Sequence, residues 1–371
     1  MDKFLMRYLS GAPASLIYAQ LRKKNITLDH KKATGSEILS EGDTIQCFFA
    51  DGTWEKFLHP GLKDDSSNES YLAEAAACYS SHPMIRILYE DADFLIADKP
   101  AGLLTQRSKA GDESLNDWLI GYLLQQGKTD AAGLAVFRPS AAHRLDRNTG
   151  GIVCMTLTLR AAQETARLLK EHRIGKYYLA VLHGRFSEPV RIRSLHEKNG
   201  QKNLVRISDL HMITERELRS SETAKERKPA ESMRMDISET GCVPLSYDEA
   251  TDTTLVLAAL HTGKAHQLRA QFAATGHPIV GDLKYGDRET AADRKRFGAS
   301  GQLLHASLLI FPESGLSHSA LSGKSFYSDP FGTENAESET AGGWQTFSAV
   351  CSVKEQQLAE AVINHREVMM R

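Results

Sequence analysis

The sequence predicts an α+β fold, in which many short strands are interspersed with a few amphipathic helices. Short apolar runs of the length typical of buried strands recur along the chain, and the clearest is at 254–260. Helical spacing of apolar residues is limited to a few stretches, among them 115–123 and 161–173. With 371 residues, the chain is long enough for about two domains and a sizeable core.

Composition is that of a soluble globular protein, with 41% hydrophobic and 25% charged residues. No apolar run is long enough for a membrane span, and the N-terminus lacks the features of a secretory signal. The five cysteines are isolated and never form a C-x-x-C pair, which argues against a disulfide framework or a zinc ribbon. A cytoplasmic protein with no membrane association is therefore expected.

The charge of the chain is unevenly distributed, although its net value is only −2. Residues 1–32 contain seven Lys or Arg and two acids, whereas residues 33–58 contain five acids and one lysine. A concentrated basic patch attracts phosphate backbones even when the whole protein is nearly neutral.

The first domain is predicted at 1–58, with two short helices and a small sheet. The second helix is expected over 16–24 with Ser15 as its N-cap, followed by a strand at 25–28 and another at 44–49. Lys31 and Lys32 are expected in the turn after the first strand.

Residues 59–84 lack a convincing period and are predicted to be a linker with one short helix near 71–77. The second domain, 85–330, holds most of the predicted strands. Residues 187–250 are hard to interpret, and the charged segment around 225–228 suggests exposed loops between strands. A C-terminal extension, 331–371, is polar at first and ends in a predicted helix over 353–371.

The segment most suggestive of chemistry is Ala-His-Arg-Leu-Asp-Arg-Asn-Thr-Gly-Gly, followed by an apolar run. It places Asp146 between Arg144 and Arg147, whose charges are expected to keep the carboxylate ionised. Such a group can act as a nucleophile, a general base or an electrostatic stabiliser. The segment alone is equally compatible with a charged turn before a strand, because structural ion pairs look similar.

This segment resembles the H-R-L-D-x-x-T-S-G motif of the pseudouridine synthase family typified by the large-subunit ribosomal RNA enzymes, nearest to their C-type group. Gly150 stands where the family has serine, and Asp98 replaces the asparagine of its N-K-P-x-G motif. Two further segments follow in the family's order. Residues 176–184 resemble its K-x-Y-x-A-x-V-x-G motif, with Leu182 in place of valine, and residues 262–269 resemble T-G-[RK]-x-H-Q-[IL]-R. The resemblance assigns the catalytic carboxylate to Asp146, the active-site tyrosine to Tyr178 and the arginine paired with the carboxylate to Arg269.

The resemblance also implies a fold and a partner. The fold is a mixed, mainly antiparallel sheet with flanking helices, preceded here by a segment similar to the alpha-L RNA-binding motif. RNA is the implied partner, with ribosomal RNA favoured over transfer RNA and no obligate protein partner. The expected RNA-binding residues are Arg22, Lys23, Lys24, Lys31, Lys32, Arg144 and Lys176.

The implied reaction converts uridine in RNA to its carbon-linked isomer and requires neither a metal nor another cofactor. His261 and His266 are five residues apart and lack further ligands at suitable spacing, so we expect no metal site there. Two other classes stay open: an RNA-binding or assembly factor without catalysis, and a glycoside hydrolase. The hydrolase would need a second carboxylate, for which Asp282 is the candidate.

Overall fold

The computed structural model describes residues 1–9, 12–40, 42–49, 65–199, 204–220, 237–286, 288–316, 321–331 and 354–370. Residues 59–64 of the predicted linker, the charged segment around 225–228 and residues 332–353 of the predicted extension lie outside these ranges. The chain divides into two compact units, Met1–Ala77 and Cys78–Arg371. No helix in the described ranges is long and apolar enough to cross a membrane.

The first unit contains two short helices and a small antiparallel sheet. Its elements are α1 (Asp2–Tyr8), α2 (Ala14–Arg22), β1 (Ile26–Leu28), β2 (Lys31–Lys32) and β3 (Ile45–Cys47), with strand order β2-β1-β3. Apolar residues at helical spacing in α1 and α2 pack with Ile26 to form its core. The N-cap of α2 is Pro13 rather than the expected Ser15. Lys31 and Lys32 pair with β1 as a strand instead of lying in a turn.

Helix α3 (Asp65–Ser81) is longer than the short helix expected near 71–77. Its polar first half has no apolar period from which a helix could be predicted. The alanine-rich second half is a strong helix former, and it extends the helix to Ser81.

The second unit is built on one large sheet. Its strands are β4 (Arg86–Glu90), β5 (Phe94–Lys99), β6 (Ser140–Ala141), β7 (Gly150–Thr156), β8 (Gly175–His183), β9 (Val190–Asn199), β10 (Leu204–Thr214), β11 (Ile237–Asp248), β12 (Thr253–Leu260), β13 (Leu304–Ile310) and β14 (Ser325–Tyr327). The order is β10-β9-β11-β12-β8-β13-β7-β5-β4, with β6 beside β7 and β14 beside β13. The β7–β13 pair is parallel, and every other pair described is antiparallel.

Helices cover the sheet, and the predicted α+β class is confirmed. They are α4 (Leu115–Gln125), α5 (Ala131–Val136), α6 (Leu159–Lys170), α7 (Glu215–Arg219), α8 (Gln267–Ala274), α9 (Arg288–Phe297), α10 (Glu355–Asn364) and α11 (Arg366–Met369). The single terminal helix expected over 353–371 is two helices, α10 and α11. Val368 of α11 belongs to the same core as the central strands.

Successive residues of the central strands enter different cores. On β8, Tyr178 and Ala180 join one cluster, whereas Tyr177 and Leu179 join another. This follows from the two-residue period of a strand, which sends neighbouring side chains to opposite faces. Tyr178 shares its cluster with Leu268 of α8, so this face of the sheet carries the candidate site.

The region that was hard to interpret, 187–250, contains three long strands, β9, β10 and β11. On β9, the buried Ile192 alternates with Arg191 and Arg193, a pattern typical of a strand with one polar face. Sequence analysis made no prediction for these strands, and the loops expected around 225–228 lie outside the described residues.

Gly151 is required by the parallel strand pair that leads out of the candidate site. Its φ is +107°, and a Cβ atom there would lie 2.3 Å from the carbonyl oxygen of Ala306. By contrast, Gly276 has φ +83° with open space around the Cβ position.

We expect Gly151→Ala to lower the free energy of unfolding by at least twice as much as Gly276→Ala. The backbone conformation alone costs about 1–2 kcal/mol for a residue with a Cβ atom, and Gly151→Ala adds a clash with backbone. Urea unfolding of both variants measures the difference. Equal losses would contradict the close approach of β13.

Candidate active site

Three residues far apart in the sequence meet beside one cavity. Asp146 lies in the loop between β6 and β7, Tyr178 on β8 and Arg269 on α8. The cavity has a volume of about 60 Å³ and is continuous in its lining with a larger cleft of about 510 Å³. Asp146 and Tyr178 line both, so the predicted catalytic residues share one recess.

Arg269 connects two carboxylates. Its Nε and one terminal nitrogen donate to Asp282 at 2.7 and 2.8 Å, and the other terminal nitrogen donates to Oδ2 of Asp146 at 2.8 Å. Burial alone would lower the pKa of Arg269, but the hydrogen bonds to Asp282 and Asp146 raise it. The guanidinium is thus a fixed cation. Asp282 is buried and also accepts from two backbone amides, so both of its oxygens are occupied.

The arginines next to Asp146 in the sequence do not hold its carboxylate, contrary to our expectation. Arg144 is exposed and lines the cleft, and Arg147 lies 3.7 Å from Asp112. In the described part of the chain, Arg269 forms the ion pair with Asp146, and Nε2 of His266 lies 3.9 Å from Oδ1. Oδ1 of Asp146 is therefore the carboxylate oxygen left for a substrate.

Tyr178 is almost fully buried, yet its side chain reaches the cavity. Burial, and to a smaller extent the negative charge of Asp146, raises the pKa of Tyr178. The phenol is neutral at physiological pH, and it is suited to packing against a base or donating a hydrogen bond.

Four lysine and arginine side chains contribute to the lining of the cleft. Arg144 and Lys176, both expected to bind RNA, contribute to it, together with Lys170 and Lys264. Lys176 is half-buried, and burial lowers its pKa. A cleft with four cationic side chains around one carboxylate is suited to an anionic ligand such as a nucleotide.

His143, the first residue of the H-R-L-D segment, also lines the cleft. Its Nε2 accepts a hydrogen bond from the backbone amide of Cys154 at 3.1 Å. Burial, assisted by the nearby Lys176, lowers the pKa of His143 to about 3. This histidine is therefore neutral and anchors the loop to β7.

The loop that carries Asp146 is held in place by Lys99, a residue to which the sequence analysis gave no role. Nζ of Lys99 donates to the carbonyl oxygens of Pro100, Leu103 and Arg147 at 2.8, 2.7 and 3.2 Å. Thr105 adds two hydrogen bonds, both of 3.0 Å, to the backbone of Leu145. The backbone on either side of Asp146 is thus fixed by the 98–105 segment.

Lys99 makes stability depend on pH. Burial lowers its pKa to about 7, whereas a lysine in the unfolded chain titrates near 10.4. Between about pH 7 and pH 10 the unfolded state holds more protons, so the contribution of Lys99 to the free energy of unfolding rises with pH.

We expect the difference in unfolding free energy between wild type and Lys99→Met to grow in favour of wild type from pH 7 to pH 10. Urea unfolding at several pH values measures it. Lys109→Met, at an exposed position, is the control for losing one lysine. A difference that is constant across this range would contradict the role of burial at Lys99.

The two departures from the family motifs lie close together. Ser328 donates to Asp98 at 2.7 Å and contacts Nε2 of His305 at 2.8 Å. The ring of His305 lies against Gly150, where a Cβ atom would be 3.0 Å from Nδ1. A serine at 150 would need this buried ring to shift, so glycine and His305 fit one another here.

The remaining predicted RNA-binding residues lie in the first unit. Arg22, Lys23 and Lys24 follow one another at the end of α2, and Lys31 and Lys32 form β2; all five side chains are exposed. They form a basic surface of that unit.

Sequence analysis missed several residues of the site. Lys99, Thr105 and Tyr285 were given no role, and His266 was considered only as a metal ligand. The position of His266, three residues before Arg269, could have indicated that it lies near the carboxylate of Asp146. Buried lysines are rare, so a lysine is expected to be exposed unless a pattern indicates otherwise. The sequence around Lys99 contains no such pattern.

Comparisons with known proteins agree with these motifs. The family model described as RNA pseudouridylate synthase matches residues 93–274. Ribosomal large subunit pseudouridine synthase C of Escherichia coli (strain K12) is 29% identical over 324 residues, covering 85% of this chain and 85% of that protein. Its namesake from Buchnera aphidicola subsp. Schizaphis graminum is 27% identical over 330 residues, covering 85% and 87%. The solved human RNA Pseudouridylate Synthase Domain Containing 1 has a TM-score of 0.49 at 24% identity, covering 75% of this chain and 94% of that one.

Proposed function

Since the chain belongs to the RNA pseudouridylate synthase family, we propose that it isomerises specific uridines of 23S ribosomal RNA, in the cytoplasm. Asp146 is the catalytic carboxylate of this proposal, and the reaction uses no cofactor. The observation that carries it is the carboxylate of Asp146, held through Oδ2 by Arg269 while Oδ1 faces a basic cleft that Tyr178 also lines.

The geometry supports a different role for each of three residues. Isomerisation must break the bond between nitrogen 1 and the ribose, turn the base and join carbon 5 to the ribose. Carbon 5 then loses its proton, and nitrogen 1 gains one. Asp146 would attack the ribose or remove a proton from it, with Arg269 keeping the carboxylate ionised and oriented. Tyr178, a neutral phenol, would pack against the base while it turns. Arg144 and Lys176 would contact the RNA backbone.

The target uridine must leave any stack to enter the cleft, which costs a few kcal/mol. Basic residues that bind neighbouring RNA would offset this cost. We propose that residues 1–58 form such an RNA-binding domain, that 85–330 form the catalytic domain and that 59–84 connect them. The extension proposed at 331–371 contributes α11 to the core of the second unit.

Two observations weigh against the alternative classes. A glycoside hydrolase would need Asp282 as its second carboxylate, but that group is buried and saturated by Arg269 and backbone amides. A factor that only binds RNA would have no use for a carboxylate held in this way beside a nucleotide-sized cleft.

Mapping of pseudouridine in ribosomal and transfer RNA, in cells with and without the protein, tests the proposal. We expect sites in 23S ribosomal RNA to be lost in the strain without it. Loss of transfer RNA sites alone would overturn the ribosomal assignment, and the survival of every site would overturn the proposed function.

The basic surface of the first unit yields a further prediction. Changing Arg22, Lys23, Lys24, Lys31 and Lys32 to glutamine should weaken binding to 23S ribosomal RNA and reduce its dependence on salt. Each phosphate contact that is removed lowers the slope by roughly one. Filter binding at several salt concentrations measures this, with Lys109→Gln/Lys295→Gln, two exposed lysines of the second unit, as the control. An unchanged slope would exclude these residues from RNA binding.

A further inference from the structure

A chain of hydrogen bonds leads from the backbone of β10 to the candidate carboxylate. The amide of Val205 donates to the hydroxyl of Tyr285 at 3.0 Å, and this hydroxyl lies 2.8 Å from Nδ1 of His266. His266 has φ +53° and precedes α8, and its Nε2 lies 3.9 Å from Oδ1 of Asp146. The ring of Tyr285 packs against the guanidinium of Arg269, with 5.3 Å between the centres.

This arrangement favours a hydrogen on Nε2 of His266. The hydroxyl of Tyr285 already accepts from Val205, and Nδ1 of His266 lies within reach of its own hydrogen. Burial also lowers the pKa of His266, so the ring is neutral near pH 7. A neutral imidazole that accepts at Nδ1 carries its hydrogen on Nε2.

Nε2–H of His266 is therefore a hydrogen-bond donor, and Oδ1 of Asp146 is a hydrogen-bond acceptor close to it. At 3.9 Å they are too far apart for a direct hydrogen bond. One oxygen atom can lie about 2.8 Å from both, and a hydroxyl can accept from one and donate to the other. His266 and Asp146 both line the cavity and the cleft, so an entering ligand reaches the two atoms together.

We propose that His266 and Asp146 together bind the 2′-hydroxyl of the target uridine. Tyr285 acts as a positioning residue that fixes the donor of His266. The inference rests on the proposed function: a carboxylate that acts at the ribose carbon bearing the base lies next to the 2′-carbon. The 2′-hydroxyl is both donor and acceptor, and it is the group by which a protein distinguishes RNA from DNA. His266 is thus a specificity-determining residue for ribose.

The test compares two synthetic RNA hairpins that carry a uridine modified by the wild-type chain. In one of them this uridine is replaced by 2′-deoxyuridine. We expect kcat/KM of wild type to be about 100-fold lower on the deoxy hairpin, as for a lost hydrogen bond to a charged group. For His266→Ala we expect the ratio to fall to about tenfold, because Asp146 remains as the acceptor.

Two further variants distinguish this role from a structural one. His266→Gln keeps an N–H donor at the same distance from the backbone, and it should preserve more of the discrimination than His266→Ala. Tyr285→Phe keeps the ring against Arg269 and should lower the discrimination, because the imidazole is no longer fixed. Tyr247→Phe, which loses a phenol hydrogen bond to Asp252, is the control and should leave the ratio unchanged.

The ratio between the two hairpins is the deciding measurement. If wild type, His266→Ala and Tyr285→Phe discriminate equally, the inference is wrong even though the enzyme is active. If wild type forms no pseudouridine in either hairpin or in 23S ribosomal RNA, the proposed function itself has failed. A fall in the ratio for both variants, with His266→Gln closer to wild type, supports the inference.

Discussion

Asp146→Asn is expected to reduce pseudouridine formation at least 1,000-fold, or about 4 kcal/mol in activation free energy, while RNA affinity stays within about twofold. The amide has almost the same shape as the carboxylate, but it is neither a nucleophile nor a base. It can still accept a hydrogen bond from Arg269, so the fold should be maintained. Single-turnover release of tritium from RNA labelled at carbon 5 of uridine measures the chemical step.

The experiment also separates the two functional classes that share RNA as a ligand. If the protein is an enzyme, Asp146→Asn should form no pseudouridine but should still bind RNA. Filter binding measures the affinity for RNA. Asp112→Asn is the matched control. Asp112 lies beside Arg147, which is in the same loop as Asp146, but Asp112 lines neither the cavity nor the cleft. Wild-type rates for Asp146→Asn would exclude Asp146 as the catalytic group and favour a protein that only binds RNA.

Arg269→Lys should lower the single-turnover rate by roughly 100-fold or more, although it preserves the charge. Lysine is a point charge without the planar fork, and it cannot hold both oxygens of Asp282 and Oδ2 of Asp146 together. Asp282 is fully buried, so its lost partners should also lower the free energy of unfolding by about 2–4 kcal/mol. Urea unfolding and single-turnover kinetics measure the two effects.

Arg191→Lys distinguishes a loss of activity from a loss of stability. Arg191 contacts Glu239 and two backbone carbonyls of α11 and its C-cap, and it lines neither cavity. This substitution should destabilise the fold without slowing the reaction at temperatures where the protein is folded. Equal activity of Arg269→Lys and Arg191→Lys would contradict the role of Arg269 in orienting Asp146.

Local patterns predicted the central strands well, because buried strands of the large sheet read as apolar runs. They failed at β9 and β10, where one face is polar and the apolar residues alternate with charges. Helix α3 was underestimated for a similar reason, since its first half has no apolar period. These elements depend on contacts with residues distant in the sequence, which a short stretch of sequence does not reveal.

The site was only partly predictable. Resemblance to three family motifs identified Asp146, Tyr178 and Arg269, and the fold brings them to one recess. Charge spacing alone gave the wrong partners, because Arg144 is exposed in the cleft and Arg147 lies beside Asp112, while Arg269 holds the carboxylate. Lys99 was missed because a lysine beside a proline looks exposed until the fold buries it against three carbonyls.

The parallel pairing of β7 with β13 has a consequence for synthesis of the protein. His305 and Ala306 pair with Gly150 and Gly151, directly after the loop that carries Asp146. The ribosome delivers the N-terminal parts of a chain first, so β13 is translated long after the loop that carries Asp146. Contacts between segments distant in sequence also form slowly. The backbone that follows Asp146 is therefore fixed in the sheet only after β13 has been translated and has paired with β7.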